Sequence, residues 1–496
     1  MSATVASPMT FDNTYGRLPE RFFARVEPAR VARPGLLCLN APLAAALGID
    51  LDAMDRDAWA EVFAGNRLLP GSEPLAMAYA GHQFGHFVPQ LGDGRAVLLG
   101  EVIDRSGVRR DIQLKGAGQT PFSRQGDGRA ALGPVLREYL VSEAMHALGV
   151  RTTRALAAVT TGETVLRETT LPGAVLTRVA ESHIRVGTFQ YFAMRGDFDA
   201  VRELADYAIE RHYPDARDAR SPYLALLEAV ADRQARLVSR WMHLGFIHGV
   251  MNTDNMAISG ETVDYGPCAF LDRYDPAKAY SAVDQFGRYA FGNQPGIAQW
   301  NLARLAETLL PLIDDDEARA LTSARELIEA FPHAFRSRWL AGMRRKLGLF
   351  TSDDGDLALV DALLEAMRDN GADFTLFFRR LCDAAGEPAA HEDVRRLFDD
   401  PSAYDRWAAR WQERMGLEPQ PPGQRAAAMR QANPAFIPRN HHVERALNAA
   451  VLDGDLTAFH GLRAVLAHPY EDQPDSAGYG LPPTPEEEIR NTFCGT

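Results

Sequence analysis

"IHGVMNTDNMAISGETVDYGP", Ile247 to Pro267, sets Asp254-Asn255 and Asp264 on either side of a short apolar segment. It reads as a loop, "HGVMNTDN", then a short strand, "MAIS", a turn at Ser259-Gly260 and a second strand, "ETVD". A hairpin folds its two ends together, so Asn255 and Asp264 are predicted to lie near one another. Amide and carboxylate oxygens suit a hard cation such as Mg²⁺ or Mn²⁺, which keeps waters and bridges substrate phosphates. The same residue types also serve ordinary turns by satisfying backbone groups. The spacing alone leaves both readings open.

An upstream constellation weighs toward the metal. "DIQLKGAG" puts Lys115 at the end of a strand, and Glu138 lies on the helix that follows, "GPVLREYLVSEAMHALG". Gly133-Pro134 open that helix and Gly149 closes it, with Val135, Leu136, Tyr139, Leu140, Ala144, Ala147 and Leu148 at helical spacing. A strand lysine paired with a helix glutamate, then a downstream Asn and a metal-binding Asp, is the protein-kinase arrangement for a nucleoside triphosphate. Taken singly, Lys115 reads as a solvated strand end and Glu138 as an exposed helix residue beside Arg137. The ordered set carries the reading. Glycine turns at Gly92 and Gly94, Gly116 and Gly118, and Gly126 and Gly128 let backbone amides approach phosphates. Arg95, Arg178 and Arg185 supply positive charge. No GxxxxGK[ST] occurs, so this is not a P-loop enzyme.

With 496 residues, 46% hydrophobic and 24% charged, the chain can build two or three domain-sized units or one large two-lobed enzyme. A net charge of −13 argues against nonspecific nucleic-acid binding but permits a local basic pocket. No apolar run is long enough to span a membrane, and the N-terminus lacks a secretory or transit pattern, so a cytoplasmic bacterial protein is expected. Cys38, Cys268, Cys382 and Cys494 form no CxxC pair, so neither a zinc ribbon nor a disulfide framework is suggested. Cys494, third from the end, reads as a free thiol on a frayed tail or a redox handle. His82 and His86 stand i, i+4, yet Gly81 and Gly85 oppose a helix there, and a structural role is preferred for them and for His441-His442.

Four units are expected. Residues 1–90 form an N-terminal extension packing on the lobes, with a helix near Ala41–Leu47. Residues 91–196 form a small β-rich lobe with one key helix, starting from a hairpin whose strands "AVLLGEVID" and "RRDIQLKGAG" flank "RSGV". Residues 197–440 form a large, mainly helical lobe holding the loop 247–267. Its leading helix has Ser221 as N-cap, Pro222 at its first position, an apolar stripe of Leu227, Val230, Leu237, Val238 and Trp241, and Gly245 as its stop. Further helices run from about 295 to 415 until "EPQPPGQ" breaks the pattern. Residues 441–496 form a C-terminal segment with an acidic, Pro- and Gly-rich stretch at 468–487. The fold class is α+β, in a protein-kinase-like, two-lobed arrangement.

"YAGHQFGHFVPQLGDGRA", "DIQLKGAGQTPFSRQGDGRAALGPVLREYLVSEAMHALGV", "GFIHGVMNTDNMAISGETVDYGP" and "NPAFIPRNHHVE" together resemble the selenoprotein O family, from about residue 10 to the C-terminus. The resemblance implies a kinase-like fold that transfers AMP, rather than phosphate, from ATP to protein hydroxyls with the nucleotide flipped. It implies Asp254 as catalytic base and Asn255 and Asp264 as ligands of Mg²⁺ or Mn²⁺, with Asp264 also at the nucleotide and Lys115 paired with Glu138. Gly92, Gly94, Arg95, Asp127, Gly128, Arg178 and Arg185 are similar to nucleotide-contacting positions. Some members end in Cys-x-x-selenocysteine, and here the tail is "CGT".

One feature of the residues supports this independently. Ordinary kinases carry an Asp soon after a loop His, whereas His248-Gly249 is followed by Val250, and Asp254 is the nearest acid. The competing readings are a phosphotransferase, a catalytically inactive pseudokinase scaffold that binds ATP, and a UMP-transferase using the same site. The missing loop acid opposes the first, and the complete set of Lys115, Glu138, Asn255 and Asp264 opposes the second.

Overall fold

The expected "RSGV" hairpin forms the middle of an antiparallel sheet. A computed structural model describes residues 7–493, so Cys494 lies outside the described residues. The strands of the first half are β1 (Phe23–Arg25), β2 (Gly35–Leu39), β3 (Leu75–Met77), β4 (Gly81–Gln83), β5 (His86–Val88), β6 (Ala96–Ile103), β7 (Arg109–Lys115), β8 (Ala130–Ala131), β9 (Arg154–Leu166) and β10 (Thr170–Ala180). Eight of them form one antiparallel sheet, in the order β1-β3-β6-β7-β10-β9-β2 with β8 beside β10. Three of these strands come from the segment before residue 91. Lys115 ends β7 with Ala96 on one side and Leu176 on the other, which fixes it at the centre of the sheet. β4 and β5 make a separate two-stranded ribbon, so His82 and His86 stand on strands rather than a helix.

Each sheet face is covered. Helices α1 (Ala41–Leu47) and α2 (Arg56–Ala64) bury Trp59 and Phe63 against Val97, Ile112, Leu114 and Val175. Helix α3 (Leu132–Ala147) packs Leu136, Tyr139 and Leu140 with Ala158 and Leu176 from the sheet and with Val443, Phe459 and Leu462 from the C-terminal helices. Each large apolar side chain buried this way contributes roughly 1.5–3 kcal/mol. The chain's last helices thus brace the helix that carries Glu138.

The second lobe is helical: α4 (Val186–Ala193), α5 (Phe198–His212), α6 (Pro222–Leu244), α7 (Gln294–Ile313) and α8 (Glu317–Lys346), followed by shorter helices from Asp356 to Leu466. The predicted stripe of α6 is buried throughout, and Gly245 ends it in the left-handed conformation (φ 72°). Ser221 occupies the N-cap position without capping, because its hydroxyl donates to the Ile313 carbonyl (3.1 Å). "EPQPPGQ" does interrupt the helices, but Pro422 also starts a new one, Pro422–Ala432, as proline at a first helical position can. The arrangement of a β-rich small lobe and a large helical lobe is the two-lobed, kinase-like one expected.

Candidate active site

Between the lobes lies a cleft of about 750 Å³. Gly92, Gly94, Arg95, Lys115, Asp127, Gly128, Glu138, Arg178, Arg185, Asp254, Asn255 and Asp264 all line it. The sequence spreads these residues over some 170 positions; the fold gathers them.

The 247–267 stretch is less regular than a hairpin. The turn comes where expected, with Gly260 left-handed (φ 75°) and its amide donating to the Ala257 carbonyl (3.1 Å). The flanking strands shrink to single bridges, Met256 with Thr262, because both sides also pair outward, Ala257 with Arg185 and Thr262 with Thr152. This stitches the loop to the end of the small lobe.

Neither bland reading of Lys115 and Glu138 survives. Glu138 is 2% exposed, and Lys115 Nζ donates to Glu138 Oε2 (2.6 Å) and to Asp264 Oδ1 (2.9 Å). Arg137 turns the other way and pairs with Glu444. Arg178, on β10, bonds both Glu138 and Asp264, and Arg185, at the start of α4, reaches Asp264 Oδ2 (3.2 Å) and the Asp254 carbonyl (2.6 Å). Burial alone raises the Asp264 carboxyl, but Arg178, Lys115 and Arg185 outweigh it and hold the group well below the usual carboxylate range. Glu138 is likewise lowered against burial by Arg178 and Lys115. Asp264 also takes the left-handed conformation (φ 67°), backbone strain of the kind that gathers at functional sites.

Asp254 has the opposite environment. It is buried, Gln83 Nε2 donates to its Oδ2 (3.1 Å), and Oδ1 has no hydrogen-bond partner. Burial pushes this carboxyl up to about 6, against the pull of Gln83 and Arg185. Two carboxylates in one cleft are thereby driven apart in acidity, the pattern that marks distinct chemical roles.

A hard divalent cation fits the donor set. Asp264 is kept ionised, and Asn255 Nδ2 donates to the Val250 carbonyl (3.0 Å) while its amide oxygen has no donor among the described residues. No group of three or more His, Cys, Asp or Glu among the described residues forms a self-sufficient metal cage. Asn255 and Asp264 are the residues that would hold such a cation, which usually needs only one or two protein carboxylates. His441-His442 follow the structural expectation: His442 Nε2 meets the Gly478 carbonyl (3.1 Å). His82 Nδ1 meets Gln190 Nε2 (2.9 Å).

The cleft's lining has seven arginines and lysines against five carboxyls, in a chain of net charge −13. That local surplus favours an anion. Residues 6–467 match a family model described as Protein adenylyltransferase SelO. The chain belongs to this family. It is similar to Protein nucleotidyltransferase YdiU of Rhizobium etli (strain CIAT 652), 63% identical over 491 residues, or 99% of this chain and 98% of the relative. Protein nucleotidyltransferase YdiU of Bradyrhizobium diazoefficiens is 62% identical over 486 residues, covering 98% and 99% of the two chains. As a SelO family member the chain is a protein nucleotidyltransferase.

Several cleft residues of this SelO family member escape a reading of its sequence. Tyr79 lies under the Arg185 guanidinium, 4.7 Å from ring centre to carbon. Arg167 pairs with Asp127 at the rim (2.8 Å). Gln83 reaches Asp254 across 171 positions. Only the run of Gly and aromatic residues in "YAGHQFG" signals that a tight backbone approach happens there.

Proposed function

We propose that the protein transfers the adenylyl group of ATP to hydroxyl side chains of Ser, Thr or Tyr in other proteins, releasing pyrophosphate. The observation that carries this is Asp254, a buried carboxyl that lines the cleft beside Asn255 and whose Oδ1 has no hydrogen-bond partner. The loop after His248 has no other acid, and the His248 ring is itself committed, its Nε2 bonding the Val263 carbonyl (2.9 Å).

On this reading the Gly92–Gly94 and Gly126–Gly128 turns bring backbone amides close to the triphosphate, with Asp127 at the same rim. Arg95, Arg178 and Arg185 bind phosphate oxygens, and Lys115 is held ready by Glu138. Asn255 and Asp264 would hold Mg²⁺ or Mn²⁺, which would supply neutralisation of the phosphate charge. The nucleotide lies with its α-phosphate toward Asp254. Asp254 accepts the acceptor hydroxyl's proton as oxygen attacks phosphorus, and the arginines stabilise the departing pyrophosphate. The partners are ATP and hydroxyl-bearing proteins, with no role for nucleic acid. Among the described residues no helix is long and apolar enough to cross a membrane. Cys38 and Cys382 are buried thiols, and burial pushes Cys38 up to about 11, which suits a reducing cytoplasm.

Mass spectrometry of acceptor proteins, after incubation with ATP and Mg²⁺ or Mn²⁺, tests the reading. An adenylyl adduct is expected on a hydroxyl side chain, with pyrophosphate released in step. A phosphoryl adduct would overturn it.

A further inference from the structure

Residues 82–84 of the β4–β5 ribbon are laced to residues 252–254. The His82 amide donates to Thr253 Oγ1 (2.7 Å), and the Phe84 amide donates to Asn252 Oδ1 (3.1 Å). Between them, Gln83 Nε2 donates to Asp254 Oδ2 (3.1 Å). The lacing is itself anchored. Thr253 Oγ1 donates to Gln190 Oε1 (2.6 Å) and the Tyr289 hydroxyl donates to Asn252 Oδ1 (2.6 Å). Gly81 lets the ribbon come this close, since a Cβ there would stand 2.5 Å from Asp254 Oδ1.

A carboxylate on its own swings freely, because the torsion that ends an Asp side chain is broad and two-fold. Either oxygen then faces the substrate, and the orientation needed for proton transfer is held only part of the time. Here Oδ2 is anchored by Gln83, and Oδ1 is buried against Gly81 without a hydrogen-bond partner. We propose that Gln83 is a positioning residue for catalysis: its side-chain amide pins Asp254 Oδ2 and so fixes the orientation of this carboxylate at the cleft. This rests on the assignment of Asp254 as base. The chemistry of the anchor matters. A neutral amide donor orients the carboxylate without cancelling its charge, whereas an Arg or Lys in its place would form an ion pair and weaken the base. Asn would be one methylene short of the same bond.

The backbone bonds of residues 82 and 84 do not use the Gln83 side chain, so the ribbon stays laced when that side chain changes. Gln83→Leu and Gln83→Glu are compared with wild type and Asp254→Asn. The readouts are initial rates of transfer from α-phosphate-labelled ATP to bacterial lysate proteins, the KM for ATP, ATP binding by calorimetry, and the melting temperature. Gln83→Leu is expected to lower kcat about 10- to 100-fold, with KM for ATP within about twofold and an unchanged melting temperature. Gln83→Glu, which offers an acceptor in place of a donor, is expected to do no better. Wild-type kcat in Gln83→Leu beside an inactive Asp254→Asn would overturn the positioning role and leave the base standing. Full activity in Asp254→Asn would instead overturn the base itself. A fall of kcat, ATP affinity and melting temperature together would make Gln83 merely structural and equally overturn the proposal.

Discussion

Asp254 and Asp264 carry the same functional group, and their surroundings assign them different work. Three cations converge on Asp264, while the buried Asp254 carboxyl meets one neutral side-chain donor. Asp254→Asn is therefore expected to slow transfer about 10²- to 10⁴-fold while sparing ATP binding, measured by calorimetry beside the rate assay. Asp264→Ala is expected to abolish metal-dependent ATP binding. ATP affinity retained in the second variant would remove Asp264 from the metal site. At this scale much was legible in the sequence. Lys115, Glu138, Asn255 and Asp264 announce themselves because nucleotide chemistry demands those residue types in that order. Gln83 and Tyr79 do not, because they act on Asp254 and Arg185 only after the chain has folded back over more than a hundred residues, and no spacing encodes that approach.

Among the elements, α3 and α6 were readable from helical spacing and their Gly and Pro punctuation, and the β6–β7 hairpin from two apolar runs about a turn. The hairpin expected at 256–264 was not, because its backbone groups are shared with residues 152 and 185 of the other lobe. Charged residues inside the helical lobe were equally hidden. Arg439 is fully buried, and its guanidinium bonds Asp272 (2.8 Å) and Asp373 (2.7 and 3.0 Å). Asp373 also caps the helix Phe374–Ala384 through the Leu376 amide (2.8 Å). Removing Asp373 leaves the buried Arg439 with Asp272 alone and takes away the helix cap, so Asp373→Ala is expected to destabilise the fold by about 3–5 kcal/mol in chemical denaturation. Asp314→Ala, whose partner Arg319 is exposed, is expected to change stability far less. Equal effects would contradict the account of this lobe's core.

Across the whole molecule, the two lobes are fastened away from the cleft as well as at it. Asp111, on β7, accepts from the His183 amide and ring (both 2.9 Å) and from Arg211 on α5 (2.5 Å). Burial raises this carboxyl, yet Arg211 and His183 prevail and hold it down to about 2. A depressed acid stabilises the fold at pH values above its ordinary value of 3.8, and that contribution fades as pH falls through about 2. The stability difference between wild type and Asp111→Asn is thus expected to be full at neutral pH and to shrink between about pH 4 and 2, followed by urea unfolding at each pH. A difference that does not vary with pH would exclude an ionised Asp111 as the fastening. These contacts give the cleft fixed walls, and the chemistry proposed for it depends on which phosphate faces Asp254. Label transfer decides that. The protein is incubated with Mg²⁺ or Mn²⁺, a bacterial lysate as acceptor, and ATP labelled at the α-phosphate in one reaction and at the γ-phosphate in another, with Asp264→Ala as control. Label arriving in protein from the α-position alone, and lost in the control, is the predicted result; label arriving from the γ-position would contradict adenylyl transfer.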